Sequence, residues 1–228
     1  MNGKPRSGSF VSVLLVAGFV ALTIALDRHY LIGVDVAVAD WCDAHRPPAL
    51  YWLARVLNYL GNGGPLAGLC ALVAAWRGVR GRTVRPVLLV VFAFVLSFVV
   101  IMPIKIYTWR LSPRAELPDV PNPVEMFGHP AGRSYPSGHL VNAIVWYGVL
   151  AMLLAPWLTA VTRRILRVVP PVVLTVTTVY LSFHWLTDTV AGLMLGLVLY
   201  RIIASVPWDD LPLGRRLAKA GWDRPFLS

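Results

Sequence analysis

Apolar and polar positions in this chain fall into long blocks rather than short periods. Apolar blocks cover residues 10–26, 64–76, 86–104, 138–156, 168–183 and 185–204. A helix needs ~20 apolar residues to cross a bilayer. The blocks therefore predict six transmembrane helices, an all-α polytopic membrane protein with one membrane domain over 1–228. The 64–76 block is short and borrows from the Gly61-Asn62-Gly63-Gly64-Pro65 segment ahead of it. A signal peptide is the competing reading of the first block, but its conceivable cleavage site, Ala37-Val38-Ala39, lies too far beyond the apolar run. Between the first two blocks, Leu50, Leu53, Leu57 and Leu60 share a helical face, with Arg55 and Asn58 off it, which predicts a short interfacial helix. Residues 105–137 form a long loop rich in proline, glycine and charge, and residues 205–228 form a tail. Long ordered loops more often carry function than not.

Composition agrees with the blocks. The 228 residues are 57% hydrophobic and 14% charged, with a mean hydropathy of +0.65. A soluble domain is about 25% charged. The formal charge of +10 does not imply a nucleic-acid partner, because cytoplasmic loops of membrane proteins are routinely basic. Threading the chain through six spans puts 14 basic residues on one side and 7 on the other. The positive-inside rule then places both termini in the cytoplasm and the 105–137 loop outside. Only three of the 21 basic residues are lysines, a bias read as genome composition. The chain is expected to be an integral protein of a bacterial plasma membrane, in contact with the bilayer and no nucleic acid. Cys42 and Cys70 show no spacing that suggests a disulfide or a zinc site.

In this topology three polar clusters meet on the outer face. Lys105 ends the third span, followed by Arg110 and Arg114. Tyr135-Pro136-Ser137-Gly138-His139 opens the fourth, where free backbone N–H groups and the helix dipole suit an anion. His184 and Asp188, four apart, open the sixth. A carboxylate bonded to one ring nitrogen fixes the tautomer and makes the other nitrogen more basic. Each cluster also has a plain structural reading: a helix-end hydrogen bond for His184–Asp188, N-capping for Ser137, and interface anchoring for Lys105 and its arginines. Ionisable groups near a span are costly, which favours function.

These residues resemble the type 2 phosphatidic acid phosphatase superfamily. Its pattern has three parts: Lys-x6-Arg-Pro, Pro-Ser-Gly-His and Ser-Arg-x5-His-x3-Asp. The second matches in full at Pro136 to His139, the first at Lys105 and Pro113, and the third at His184 and Asp188. The two family arginines are absent: their positions hold Ser112 and Thr178. Arg110, Arg114, Arg133 and His129 are candidate replacements. The resemblance implies a lipid-phosphate substrate, six membrane helices and no metal or cofactor. It implies His184 as nucleophile through a phosphohistidine, Asp188 as its orienter, and His139 as acid and base. Lys105, Ser137 and Gly138 would hold phosphate oxygens. The missing arginines suggest a substrate with less charge, a phosphodiester or polyprenyl-linked lipid, or transfer of the phospho group to an alcohol. Two other readings compete: a weakened member that binds lipid phosphate or scaffolds a partner, and a small transporter using His and Asp as a proton relay. The transporter is disfavoured because the ionisable residues sit at span ends and no internal repeat is present.

Overall fold

The computed structural model describes residues 6–115, 124–128 and 130–227. In chain order its helices are α1 (Arg6–Asp27), α2 (Ile32–Ala44), α3 (Pro48–Asn58), α4 (Gly63–Gly81), α5 (Arg85–Thr108), α6 (Gly138–Leu153), α7 (Ala160–Tyr180), α8 (Leu186–Ser205) and α9 (Arg215–Lys219). Short 3-10 turns cover Tyr59–Gly61 and Trp208–Asp210. No β-strand occurs among the described residues.

Helix α6 is the axis of the bundle. It is apolar on every face, and a helix of that kind belongs inside. Its neighbours are α4, α5, α7 and α8, while α1 packs on α8. The α6–α8 contact is close because small residues line it, at the Gly192-x-x-x-Gly196 spacing typical of membrane helix pairs. A Cβ on Gly192 would lie 2.7 Å from the Ser137 carbonyl oxygen, and one on Gly148 would lie 2.4 Å from the Tyr200 ring. Only glycine admits these approaches.

The six predicted blocks fall on α1, α4, α5, α6, α7 and α8. Three of these, over Ser9–Asp27, Arg85–Thr108 and Leu186–Ser205, are long and apolar enough to cross a membrane singly. The α3 and α4 segments together qualify as one span bent by 44°. Helix α6 is apolar but shorter, and α7 carries Arg163, Arg164 and Arg167.

Several boundaries differ from the sequence reading. The fifth helix starts at Ala160, not 168, because the Thr159 hydroxyl accepts from the Thr162 N–H (3.1 Å) and starts the helix there. Pro170 and Pro171 therefore lie inside α7 rather than at its entrance. The fourth helix ends at Leu153, short of Pro156. Helix α5 runs on to Thr108, where Trp109 adopts a left-handed φ of 48°. Lys105 is thus on a helix, not in the loop. Helix α2 was not expected, whereas α3 is the predicted amphipathic helix.

The tail folds back against the end of the bundle opposite His139. Arg85 donates to the carbonyls of Trp208 (2.6 Å) and Asp223 (3.3 Å), and Arg77 to those of Leu153 (2.8 Å) and Phe226 (2.5 Å). Trp208 and Phe226 are buried there. Two of the arginines that signalled topology are therefore also structural bolts.

Candidate active site

The turn before α8 and the first turn of α6 bring His184 and His139 together. His139 Nδ1 lies 3.4 Å from His184 Nε2, and the ring centroids are 5.6 Å apart. The other nitrogen of His184, Nδ1, faces Ser134 Oγ at 3.2 Å and Asp188 Oδ2 at 3.6 Å. The second distance is too long for a good hydrogen bond. Ser134 closes the gap, since its hydroxyl donates to Asp188 Oδ2 at 2.5 Å. The contacts form a relay: His184 Nδ1–H donates to Ser134 Oγ, and Ser134 donates to the Asp188 carboxylate. This assignment leaves Nε2 of His184 with a free lone pair toward His139. His184 also lies ahead of α8 rather than on it, because Asp188 Oδ2 accepts from the Trp185 N–H (3.1 Å) and starts the helix at Leu186.

The Asp188 carboxylate is fully buried, and a second layer compensates it. Arg110 donates to Asp188 Oδ1 (2.6 Å), to Asp35 Oδ2 (2.5 Å), to Thr187 Oγ1 (2.8 Å) and to the Val124 carbonyl (2.8 Å). Asp35 also accepts from the Thr187 hydroxyl (2.5 Å) and backbone N–H (2.9 Å), so a carboxylate from α2 sits at the N-terminus of α8. Arg110 and Asp35 are 0% and 1% exposed. Arg110, expected to clamp phosphate, instead faces two carboxylates from inside the protein. The cause is the placement of Asp35, which the sequence reading did not use. Its one signal was local: a lone carboxylate in the apolar run Gly33 to Ala39, where a charge without a partner would be costly. Ser134 gave less warning; it is a hydroxyl two residues before Pro136.

The Ser134–Ser137 segment is held at several points. Ser134 N–H donates to the Arg110 carbonyl (2.8 Å), Thr108 donates to the Tyr135 carbonyl (3.2 Å), and Ser137 N–H donates to the Asp188 carbonyl (2.9 Å). The Tyr135–Pro136 peptide is cis. The Tyr135 hydroxyl lies 2.6 Å from Thr23 of α1, and burial pushes the phenol up to about 12, so it stays neutral. Ser137 Oγ is buried with no hydrogen-bond partner among the described residues. An orphan of this kind costs about 1–3 kcal/mol.

The expected phosphate ligands divide. Lys105 lies beside Gly138, with its Nζ 3.8 Å from where a Gly138 Cβ would stand, and donates to the Arg133 carbonyl (2.6 Å). The Arg133 guanidinium turns back to the Pro130 (2.5 Å) and Gly132 (2.6 Å) carbonyls. Arg114 lies over the Phe183 ring, next to His184. His129 lies outside the described residues. Ser112 and Thr178 occupy the arginine positions, and the buried Thr178 hydroxyl bonds to the Leu174 carbonyl (2.6 Å).

Two cavities open beside the α6 N-terminus. One, of about 330 Å³, runs between α4, α5 and α6, with Phe94, Phe98, Ile101 and Trp146 on its walls and Lys105 and Gly138 at its polar end. The other, of about 170 Å³, lies toward α3 and is lined by Arg55, Asn58, Tyr59, Asn62, His139 and Phe183. Among the described residues no cluster of three His, Cys, Asp or Glu side chains could hold a metal.

The chain is similar to known proteins. Phosphatidylglycerophosphatase B of Bacillus subtilis (strain 168) is 34% identical over 80 residues, which is 33% of this chain and 39% of that protein's length. The crystal structure of a transmembrane PAP2-type phosphatidylglycerolphosphate phosphatase from Bacillus subtilis superposes with a TM-score of 0.71 at 23% identity. That superposition covers 86% of this chain and 94% of the other, and shows a shared transmembrane fold. The family model of the PAP2 superfamily matches residues 86–211, from the start of α5 past the end of α8. With more than half of its length inside that match, this integral membrane protein belongs to the PAP2 superfamily.

Proposed function

We propose that the chain is a metal-independent lipid phosphate phosphatase that works through a phosphohistidine on His184. The carrying observation is the pair of rings: Nδ1 of His184 is engaged by Ser134, and Nε2 is directed at His139. Nε2 attacks phosphorus, forming the N–P bond as the bond to the lipid oxygen breaks. His139 gives the leaving oxygen its Nδ1 proton. It then takes a proton from water, whose oxygen attacks phosphorus, and the N–P bond breaks to release inorganic phosphate. As Nε2 bonds to phosphorus the ring becomes cationic. The buried cluster of Asp35, Arg110 and Asp188 carries a net charge of one minus and stabilises that cation. Lys105, the Gly138 N–H and the orphan Ser137 hydroxyl are the oxygen ligands nearest the α6 N-terminus.

The apolar cavity ending at Lys105 and Gly138 supports a lipid substrate, with the chain along α5 and the phosphate at the helix start. The likeness to the phosphatidylglycerophosphatase B of Bacillus supports hydrolysis of a monoester. The empty arginine positions at Ser112 and Thr178 support a second reading, transfer or cleavage of a phosphodiester. Phosphate release from phosphatidic acid, phosphatidylglycerophosphate and a lipid phosphodiester separates the two. His184→Ala is expected to abolish release and any acid-labile phosphoenzyme. Release at the wild-type rate by this variant would end the phosphatase reading.

A further inference from the structure

The expected arginines are missing, yet a monoester phosphate brings close to two negative charges to the site. The protein's other cations at this end are mostly committed. Arg46 pairs with Asp43 and donates to Ser182 (2.6 Å), Arg110 is enclosed by Asp35 and Asp188, and Arg133 is bonded to loop carbonyls. Arg55 and Arg114 differ. Neither guanidinium makes a hydrogen bond or ion pair with a described residue.

Both lie against one ring. The guanidinium carbons of Arg55 and Arg114 are each 5.4 Å from the Phe183 centroid, so the two cations lie within about 11 Å of each other. Arg114 also rests 5.7 Å from the Tyr51 ring of α3. The aromatic faces fix both arginines by cation–π attraction without neutralising them. Like charges held this near each other, with no acid between them among the described residues, are an unbalanced arrangement unless an anion joins them. Phe183 directly precedes His184, and its ring stacks 6.4 Å from that of His139. The cavity between them exposes Arg55, with Asn58 and Asn62 as further polar groups. The chain approaches closely here because Gly61 has no side chain: a Cβ on it would lie 3.1 Å from His139 Cδ2.

We propose that Arg55 and Arg114 form an anion site on the α3 side of His139 that takes phosphate oxygens of the substrate. The pair supplies the charge absent at Ser112 and Thr178, and Arg55 does so from a helix outside the stretch that matches the family. The site rests on the phosphatase reading for its substrate but not for its binding chemistry. The anion is either the reacting phosphate or a second phosphate carried by the leaving group.

Orthovanadate binding to the detergent-solubilised full chain tests the site without turnover. Its half-protecting concentration in thermal unfolding is expected to rise about tenfold or more in Arg55→Gln and Arg114→Gln, with partial recovery in Arg55→Lys. That outcome assigns the pair to the reacting phosphate. If vanadate protection is unchanged while kcat/KM falls tenfold for phosphatidylglycerophosphate and not for phosphatidic acid, the pair holds the leaving group's phosphate. Vanadate protection and both kcat/KM values within twofold of wild type would overturn the anion site. Failure of the phosphatase reading looks different: His184→Ala would release phosphate normally, whatever vanadate does.

Discussion

At the scale of single residues, the distances around Asp188 rank the side chains. Ser134 stands between His184 and Asp188, where direct contact is only 3.6 Å. Removing a hydroxyl bonded to a charged group costs about 1.5–3 kcal/mol. Ser134→Ala is therefore expected to lower kcat roughly tenfold to a hundredfold with KM little changed, as steady-state phosphate release will read; an unaltered kcat would exclude the relay. Asp35 plays a different part, since it lies beyond Arg110 from the histidines. Breaking a buried ion pair on one side leaves an uncompensated charge worth about 3–5 kcal/mol. Asp35→Ala is expected to lower the thermal unfolding midpoint sharply, and a midpoint equal to wild type would show that Arg110 is satisfied by Asp188 alone. The two histidines proposed for the chemistry, which the fold brings within 3.4 Å, stand out in the sequence because each sits in a short motif at a block edge. The layer behind them was not. Asp35 and Arg110 are 75 positions apart, and Arg110 and Asp188 are 78 apart. No periodicity links such positions; only the packed bundle does.

Among the elements, the α6–α8 contact controls the site most directly. Gly192 lies against the Ser137 carbonyl, so a methyl group there must push backbone rather than a side chain. Overpacking of this kind costs about 1–3 kcal/mol. It also shifts the start of α6, which carries His139. Gly192→Ala is expected to lose activity out of proportion to its loss of stability, measured as kcat against unfolding midpoint. Equal losses would mean that the contact only holds the helices together. The six apolar blocks each fall on a helix, because apolar runs report burial in lipid or core without regard to detail. Their boundaries failed where local chemistry set the ends: Thr159 starts α7 eight residues early, and α5 carries Lys105 on its last turn. Helix α2 was missed because its composition of alanine, valine and aspartate shows neither a long apolar run nor a clean stripe.

For the whole molecule, the arginine-rich end and the histidine end lie at opposite ends of α4 and α5. The charge imbalance along the sequence favours a cytoplasmic tail and an outer active site. With Cys42 and Cys70 replaced by alanine, single cysteines at Phe127 and Leu217, both exposed, read this out. A membrane-impermeant maleimide applied to intact cells is expected to label the first and not the second; the reverse pattern would invert the topology. The bend between α3 and α4 has a consequence for how such proteins diversify. The residues proposed for chemistry fall within 86–211, but the wall facing His139 is built from Arg55 to Asn62, ahead of that segment. Mutation can redraw the wall while the nucleophile, its relay and its acid stay untouched. Two chains with the same motifs can thus select different headgroups, and a profile drawn only from the motif-bearing half is blind to the difference.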